Sequence, residues 1–446
     1  TQRAMDDNRQ DLVDRNAKEY VYASIPTVNL DKMIVPFKKT YGDFEYWAGN
    51  QKVVNEEVYS RSLDKYRTYK KESIKTVNYL AKEFECKKAA DQYHRANTAN
   101  TGVLDTQKLH TFKWNEDLFK KVTTIPDGKN HGLVFYLDWS GSMSQSMVPT
   151  LKQLYDLIWF CKKVGIPFRV YAFSDASHND QLFPGVPVAE KLNDIHIDRS
   201  FRLFEFFSSR MNAQTLDKMM EYMYYNCDSF HNSNGSYNYE YSLSGTPLNE
   251  ALISLHQILP KFQKENKLQK VQCVILTDGE ACMIKYHREV KRHWENGPYL
   301  GTAGIGQNAF IRDRKTGNTY SCNGDWWEFT DLLLRNLRDN FSDINFIGIR
   351  VLEGRDAGNF IRRYCGWYGL EHEKVMGSWR KEKSFTIKNS GYHAYFGLSA
   401  TALAQNSEFE VAEDATKSQI KSAFVKSLKS KKMNKKILGE FVELVA

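Results

Sequence analysis

Five oxygen-bearing side chains stand out by type and by place: Asp138, Ser140 and Ser142 in Asp138-Trp-Ser-Gly-Ser142, Thr246 in Ser244-Gly-Thr246-Pro, and Asp278 in Thr277-Asp278-Gly279. Two carboxylates and three hydroxyls, without sulfur or imidazole, suit a hard divalent cation, and Mg²⁺ is the expected guest. Asp138, Ser140 and Ser142 are two residues apart, so a loop curling around one point can turn all three toward it. Mg²⁺ takes six oxygens in octahedral geometry and keeps water readily, so five protein groups, some acting through water, need not saturate it. With two negative charges supplied, the ion stays electrophilic, and a carboxylate from another molecule is its natural sixth ligand. The chemistry expected is metal-gated docking rather than catalysis.

Each piece alone has a plainer reading: a helix N-cap loop for Asp-x-Ser-x-Ser, an N-cap followed by Pro for Thr246-Pro247, a turn for Asp278-Gly279. What favours a site is their joint occurrence at the ends of strands. Gly132–Leu137, Pro167–Phe173, Val271–Leu276 and Ile344–Leu352 are short apolar runs, and Leu151–Lys163, Pro247–Leu259 and Trp326–Leu337 carry helical periodicity between them. Alternating strand and helix implies an α/β fold, a Rossmann-like three-layer parallel sheet with helices on both faces. In such a sheet, ligands bind just beyond the carboxyl ends of the strands, where all three loops should meet.

Residues 1–125 read as a helical N-terminal region and connector, with one long helix over 54–96 and a break at Asn97–Asp105. Residues 126–415 form the α/β domain, with insertions at 176–241 and 282–325. The first holds a helix at Leu216–Tyr224 before an Asn/Ser/Tyr-rich loop, the second a hairpin at Arg314–Asn318 around Thr316-Gly317. Residues 416–446 read as a Lys-rich amphipathic C-terminal helix or a pair of shorter ones. Eight lysines against two glutamates there account for six of the net +8 charges, so the body is nearly neutral. The tail lacks the aromatic–basic alternation of a single-strand binder, and a nucleic-acid partner is not expected for the chain.

Apolar side chains at 41%, charged at 26% and aromatic at 13% describe a folded chain. No stretch approaches twenty apolar residues, so no membrane span is expected. Thr1 opens onto Gln, Arg and two Asp, not the basic-then-apolar pattern of a secretory leader, so none is expected. Seven scattered cysteines without a Cys-x-x-Cys pair suggest neither a disulfide framework nor a thiolate zinc site, and a reduced, cytoplasmic setting fits. No Gly-x-x-x-x-Gly-Lys-Ser/Thr occurs, and Gly301-Thr-Ala-Gly304-Ile-Gly306 reads as an insertion loop, so the chain is not expected to hydrolyse ATP. His-Glu-x-x-His is missing, and His287 and His293, six apart, read as surface residues. Ser140 has no Gly-x-Ser-x-Gly elbow to make it a nucleophile. Trp139, between two metal-loop residues, either packs under the loop or anchors a partner beside the metal; burial is the commoner fate of Trp.

Asp138-Trp-Ser-Gly-Ser142, Thr246 and Asp278 together resemble the metal-ion-dependent adhesion site (MIDAS) of von Willebrand factor A (VWA) domains, with all five positions matched. By that likeness Ser140 and Ser142 are direct ligands, and Thr246, Asp138 and Asp278 act directly or through water. Thr101-Gly-Val-Leu-Asp-Thr-Gln-Lys-Leu109 and the helical region before it are similar to the cobaltochelatase T subunit (CobT-like proteins), including forms carried by large phages. The resemblance implies a Mg²⁺-dependent, non-catalytic adaptor subunit of an ATP-dependent complex of cobalamin biosynthesis. Its partners would be an AAA+ ATPase ring of MoxR/CobS type and a chelatase large subunit or other client offering an Asp or Glu. The chain departs from bacterial T subunits at Leu243-Ser-Gly-Thr246-Pro and at Glu280-Ala-Cys282. The alternative expectation is a VWA protein–protein interaction module, virus-encoded and unrelated to metal insertion.

Overall fold

Strands that are apolar on both faces need helices on both sides, and the computed structural model supplies them. It describes residues 20–95, 97–104, 119–124, 130–231, 236–278, 280–291, 297–306, 308–322, 328–352, 356–387 and 390–399. In chain order the principal elements are β1 (Ile34–Val35), α1 (Phe37–Val54), α2 (Glu56–Arg95), β2 (His131–Asp138), α3 (Met147–Val164), β3 (Phe168–Ser174), β4 (Arg202–Ser208) and α4 (Ala213–His231). There follow α5 (Leu248–Asn266), β5 (Lys270–Thr277), α6 (Glu328–Asn340), β6 (Ile344–Leu352), α7 (Asp356–Cys365), α8 (Leu370–Glu382), β7 (Ser384–Ile387) and β8 (Ala394–Ser399).

The strands form one eight-stranded sheet in the order β7-β8-β6-β5-β2-β3-β4-β1. β8, β6, β5, β2 and β3 run parallel, whereas β4 is antiparallel to β3 and β7 to β8. Alternation along β2 divides the core. Leu133, Phe135 and Leu137 face a cluster with Phe44 of α1, Tyr66 of α2, Leu151 of α3 and Met219 of α4. Val134 and Tyr136 face the opposite cluster, with Leu252 of α5, Leu333 of α6, Phe360 of α7 and Trp379 of α8. The mixed α/β architecture with a largely parallel sheet is therefore as the pattern of runs implies.

The four expected strands and the long helix are present within a few residues of their expected limits. Other elements differ, for physical reasons. β4 lies inside the stretch read as an insertion, because Arg202 and Glu205 interrupt its apolar run. Both are buried and satisfied there: Arg202 donates to the carbonyls of Phe183, Gly185 and Arg199, while Glu205 accepts from Arg210 at 2.6 Å and from the Phe37 amide at the start of α1. A carboxylate at a helix N-terminus also complements the helix dipole. The Gly301–Gly304 stretch, expected as loop, is part of a strand, Tyr299–Gly304, pairing antiparallel with Lys285–Val290. The turn at Thr316-Gly317 is as expected: Gly317 takes φ +75° between strands Ala309–Arg312 and Thr319–Ser321. The break after the long helix is a strand, Asn97–Leu104, paired with Phe119–Thr124. Residues 105–109 of the Thr101–Leu109 motif and the tail 416–446 lie outside the described residues.

Candidate metal centre

From β2 the chain proceeds to β3 on one side and later reaches β5 on the other, so the strand order reverses between β2 and β5. The crevice beyond their carboxyl ends is the ligand-binding position of an open α/β sheet. Asp138 is the last residue of β2, Thr277 the last of β5, and Asp278 follows.

Polar contacts tie these ends together. Thr277 Oγ1 donates to Asp138 Oδ2 at 2.5 Å. Ser142 Oγ donates to Asp278 Oδ1 at 2.8 Å and lies 3.0 Å from Ser140 Oγ. The Gly141 amide donates to the Ser244 carbonyl (2.8 Å) and the Ser244 amide to the Trp139 carbonyl (3.1 Å), so the Thr246 loop runs as a short parallel bridge beside the serine loop. The Thr246 carbonyl accepts from the Cys282 amide at 3.1 Å, joining it to the segment after Asp278. All five expected residues thus sit at the end of β2 or on loops that are bonded to one another. Trp139 is fully buried, donates from Nε1 to the Tyr241 carbonyl (2.9 Å) and packs edge-on against Phe206 and Phe230; it supports the loop from beneath.

Asp138 is fully buried and its Oδ1 has no hydrogen-bond partner. Burial pushes its carboxyl up to about 7, hydrogen bonds from Thr277 and Ser140 pull it back, and the charge of Asp278 pushes with burial. A buried anionic oxygen without a donor is costly, and a cation removes that cost. The donor set fits a hard divalent ion: one unpartnered carboxylate oxygen, a second carboxylate, and the Ser140 and Ser142 hydroxyls 3.0 Å apart.

Two acidic residues nearby have no counterpart in the sequence reading. Asp175, directly after β3, accepts the Gly245 amide on Oδ1 at 2.9 Å, and a Cβ at Gly245 would lie 2.8 Å from its carboxylate. Asp175 obeys the same strand-end rule that finds Asp138, so the signal was present. Glu250, in the first turn of α5, has Oε2 buried without a partner, and burial pushes its carboxyl up to about 7. Glu280 is held by Arg350 at 3.5 Å and by Arg363. Cys282 is exposed, but partial burial and the charges of Asp175, Glu250 and Asp138 push its thiol up, against a nucleophilic role. Cys161, Cys227, Cys273, Cys282, Cys322 and Cys365 are free thiols. His287 is not a surface residue: it is buried on a strand with Nε2 3.3 Å from His196 Nδ1, and His293 lies outside the described residues. Among the described residues, no helix is long and apolar enough to cross a membrane.

No family model and no curated protein matches the chain. Among solved structures it is similar to the pilus adhesin SpaC of Lactobacillus rhamnosus GG in an open conformation, at 14% identity and a TM-score of 0.27, over 50% of this chain and 24% of that one. The chain spans about a quarter of the adhesin's length. A likeness of that size carries no weight for fold or activity.

Proposed function

We propose that this chain is a Mg²⁺-dependent adaptor of VWA type that docks a carboxylate of a client through the metal and couples it to an AAA+ ring. The observation that carries the reading is the buried, unpartnered Oδ1 of Asp138 at the point where the strand order reverses, beside Ser140, Ser142 and Asp278. Asp138, Ser140, Ser142, Thr246 and Asp278 would hold the ion, which supplies an electrophile for a partner's Asp or Glu. Asp138 is oriented by Thr277, and Ser142 by Asp278. Asp175 fixes the Thr246 loop through Gly245. Tyr46, Val53 and Val54 are exposed on α1 and offer apolar side chains to a ring subunit, in keeping with the likeness to cobaltochelatase T subunits.

Calorimetric titration with MgCl₂ should give one site in the wild type and none in Asp138→Ala. Capture of the AAA+ ring and of a carboxylate-bearing client should then be compared with and without Mg²⁺. Capture that is indifferent to the metal and to Asp138→Ala sinks the adaptor mechanism.

A further inference from the structure

A second surface, distinct from the metal centre, is built by strands far apart in sequence. Val21–Ser24 and Thr319–Ser321 flank Ala309–Arg312 in a three-stranded sheet. One face belongs to the core, with Ala23, Ala309 and Ile311 buried. The other is open. On it Tyr22 stands directly across from Phe310, Ser24 from Arg312 and Phe310 from Ser321. The Tyr22 and Phe310 ring centroids are 5.5 Å apart at 22°, and Tyr20 adds a third ring 5.8 Å from Phe310. Tyr20 and Tyr22 keep 59% and 49% of their surface in solvent.

The strand ends at Arg312, and Asp313, Arg314 and Lys315 follow into the turn. Its one acid points inward: Asp313 is buried, accepting the Lys315 amide at 2.7 Å and the side-chain amides of Asn336 (2.7 Å) and Asn340 (2.5 Å). Arg312, Arg314 and Lys315 are exposed. Asp194, the acid that senses Arg314, is also faced by Lys191. The outward face therefore carries three clustered rings with Arg312 beside them, Arg314 reaches that face at Ser24 Oγ (3.5 Å), and Lys315 is exposed on the same turn.

We infer that this face binds single-stranded nucleic acid, with unstacked bases on Tyr20, Tyr22 and Phe310 and phosphates on Arg312, Arg314 and Lys315. Aromatic faces take any base, and clustered cations follow a backbone. A duplex hides its base faces and cannot use the rings. A neutral apolar partner would leave three cations unanswered.

The test uses the full chain and fluorescence anisotropy with labelled oligouridylate and oligothymidylate of about twelve nucleotides. The wild type should bind at least one of them, with affinity falling steeply between roughly 0.05 and 0.2 M salt. Tyr22→Ala with Phe310→Ala should weaken binding by about tenfold or more. Tyr22→Phe should retain it, and Arg312→Ala with Arg314→Ala should flatten the salt dependence. Preference between the two oligonucleotides separates an RNA from a DNA ligand. Circular dichroism checks that the ring variant is folded. The inference fails if the wild type binds neither, or if the folded ring variant binds as tightly as the wild type, which would place the affinity elsewhere, such as the Lys-rich tail.

Discussion

At the candidate metal centre Asp138 would offer an oxygen to the proposed ion, while Asp175 holds a loop in place through the Gly245 amide. Asp175 touches the backbone of Gly245 rather than any expected ligand, so its removal should loosen the Thr246 loop without emptying the core. Asp175→Ala is expected to lower Mg²⁺ affinity by about 10–100-fold, the usual effect of losing a group that orients a ligand. Gly245→Ala should act in the same direction, because the new methyl meets the Asp175 carboxylate. Titration calorimetry reads both, with unchanged far-ultraviolet circular dichroism as the check on fold. Trp139 belongs to the packing side of the same loop. Trp139→Ala should cost about 3–5 kcal/mol in urea unfolding, as for other large buried aromatics. A variant of unaltered stability that lost only partner binding would return the residue to the anchoring role.

Among the elements, α3 ends at Gly165, whose φ of +77° is left-handed and whose Cβ position is open. Gly165→Ala should therefore cost about 1 kcal/mol through backbone conformation alone, measured by denaturant midpoint. β2, β3, β5 and β6 were legible because their cores are nearly unbroken apolar runs, and four of the five candidate ligands could be picked out because they lie at or just after the ends of two of them, Thr246 lying instead just before α5. β4 was not, since Arg202 and Glu205 find partners only after folding. α1 falls in the region read as helical but was not delineated within it, because its buried residues are only Thr40, Phe44 and Ala48, a thin stripe. His287 was misplaced for a related reason: its neighbour His196 lies 91 positions away, and no local pattern announces it. The ring-bearing face of the small sheet was invisible for the same cause, its aromatic and basic residues coming from segments near 20 and near 310.

For the whole molecule, Glu250 makes stability depend on pH. Burial raises its carboxyl from the ordinary value of 4.5 to about 7, and the charges of Asp175 and Asp198 add to that. The folded state therefore holds the proton more tightly than the unfolded one, and stability contributed by this group is lost as pH rises from about 4.5 to about 7. Glu250→Gln should narrow the fall in thermal midpoint between pH 5 and pH 8 in metal-free buffer; an unchanged profile would mean that the carboxyl is solvated. The reversal of strand order between β2 and β5 has a consequence of another kind. Asp138, Ser140 and Ser142 come from the chain before α4, and Thr246 and Asp278 from the chain after it. Cut after α4, the protein becomes two fragments that each carry an incomplete ligand set. If the proposed site binds Mg²⁺, binding would return only when the fragments re-form the β2–β5 seam, and the candidate centre would then serve as a complementation reporter of assembly.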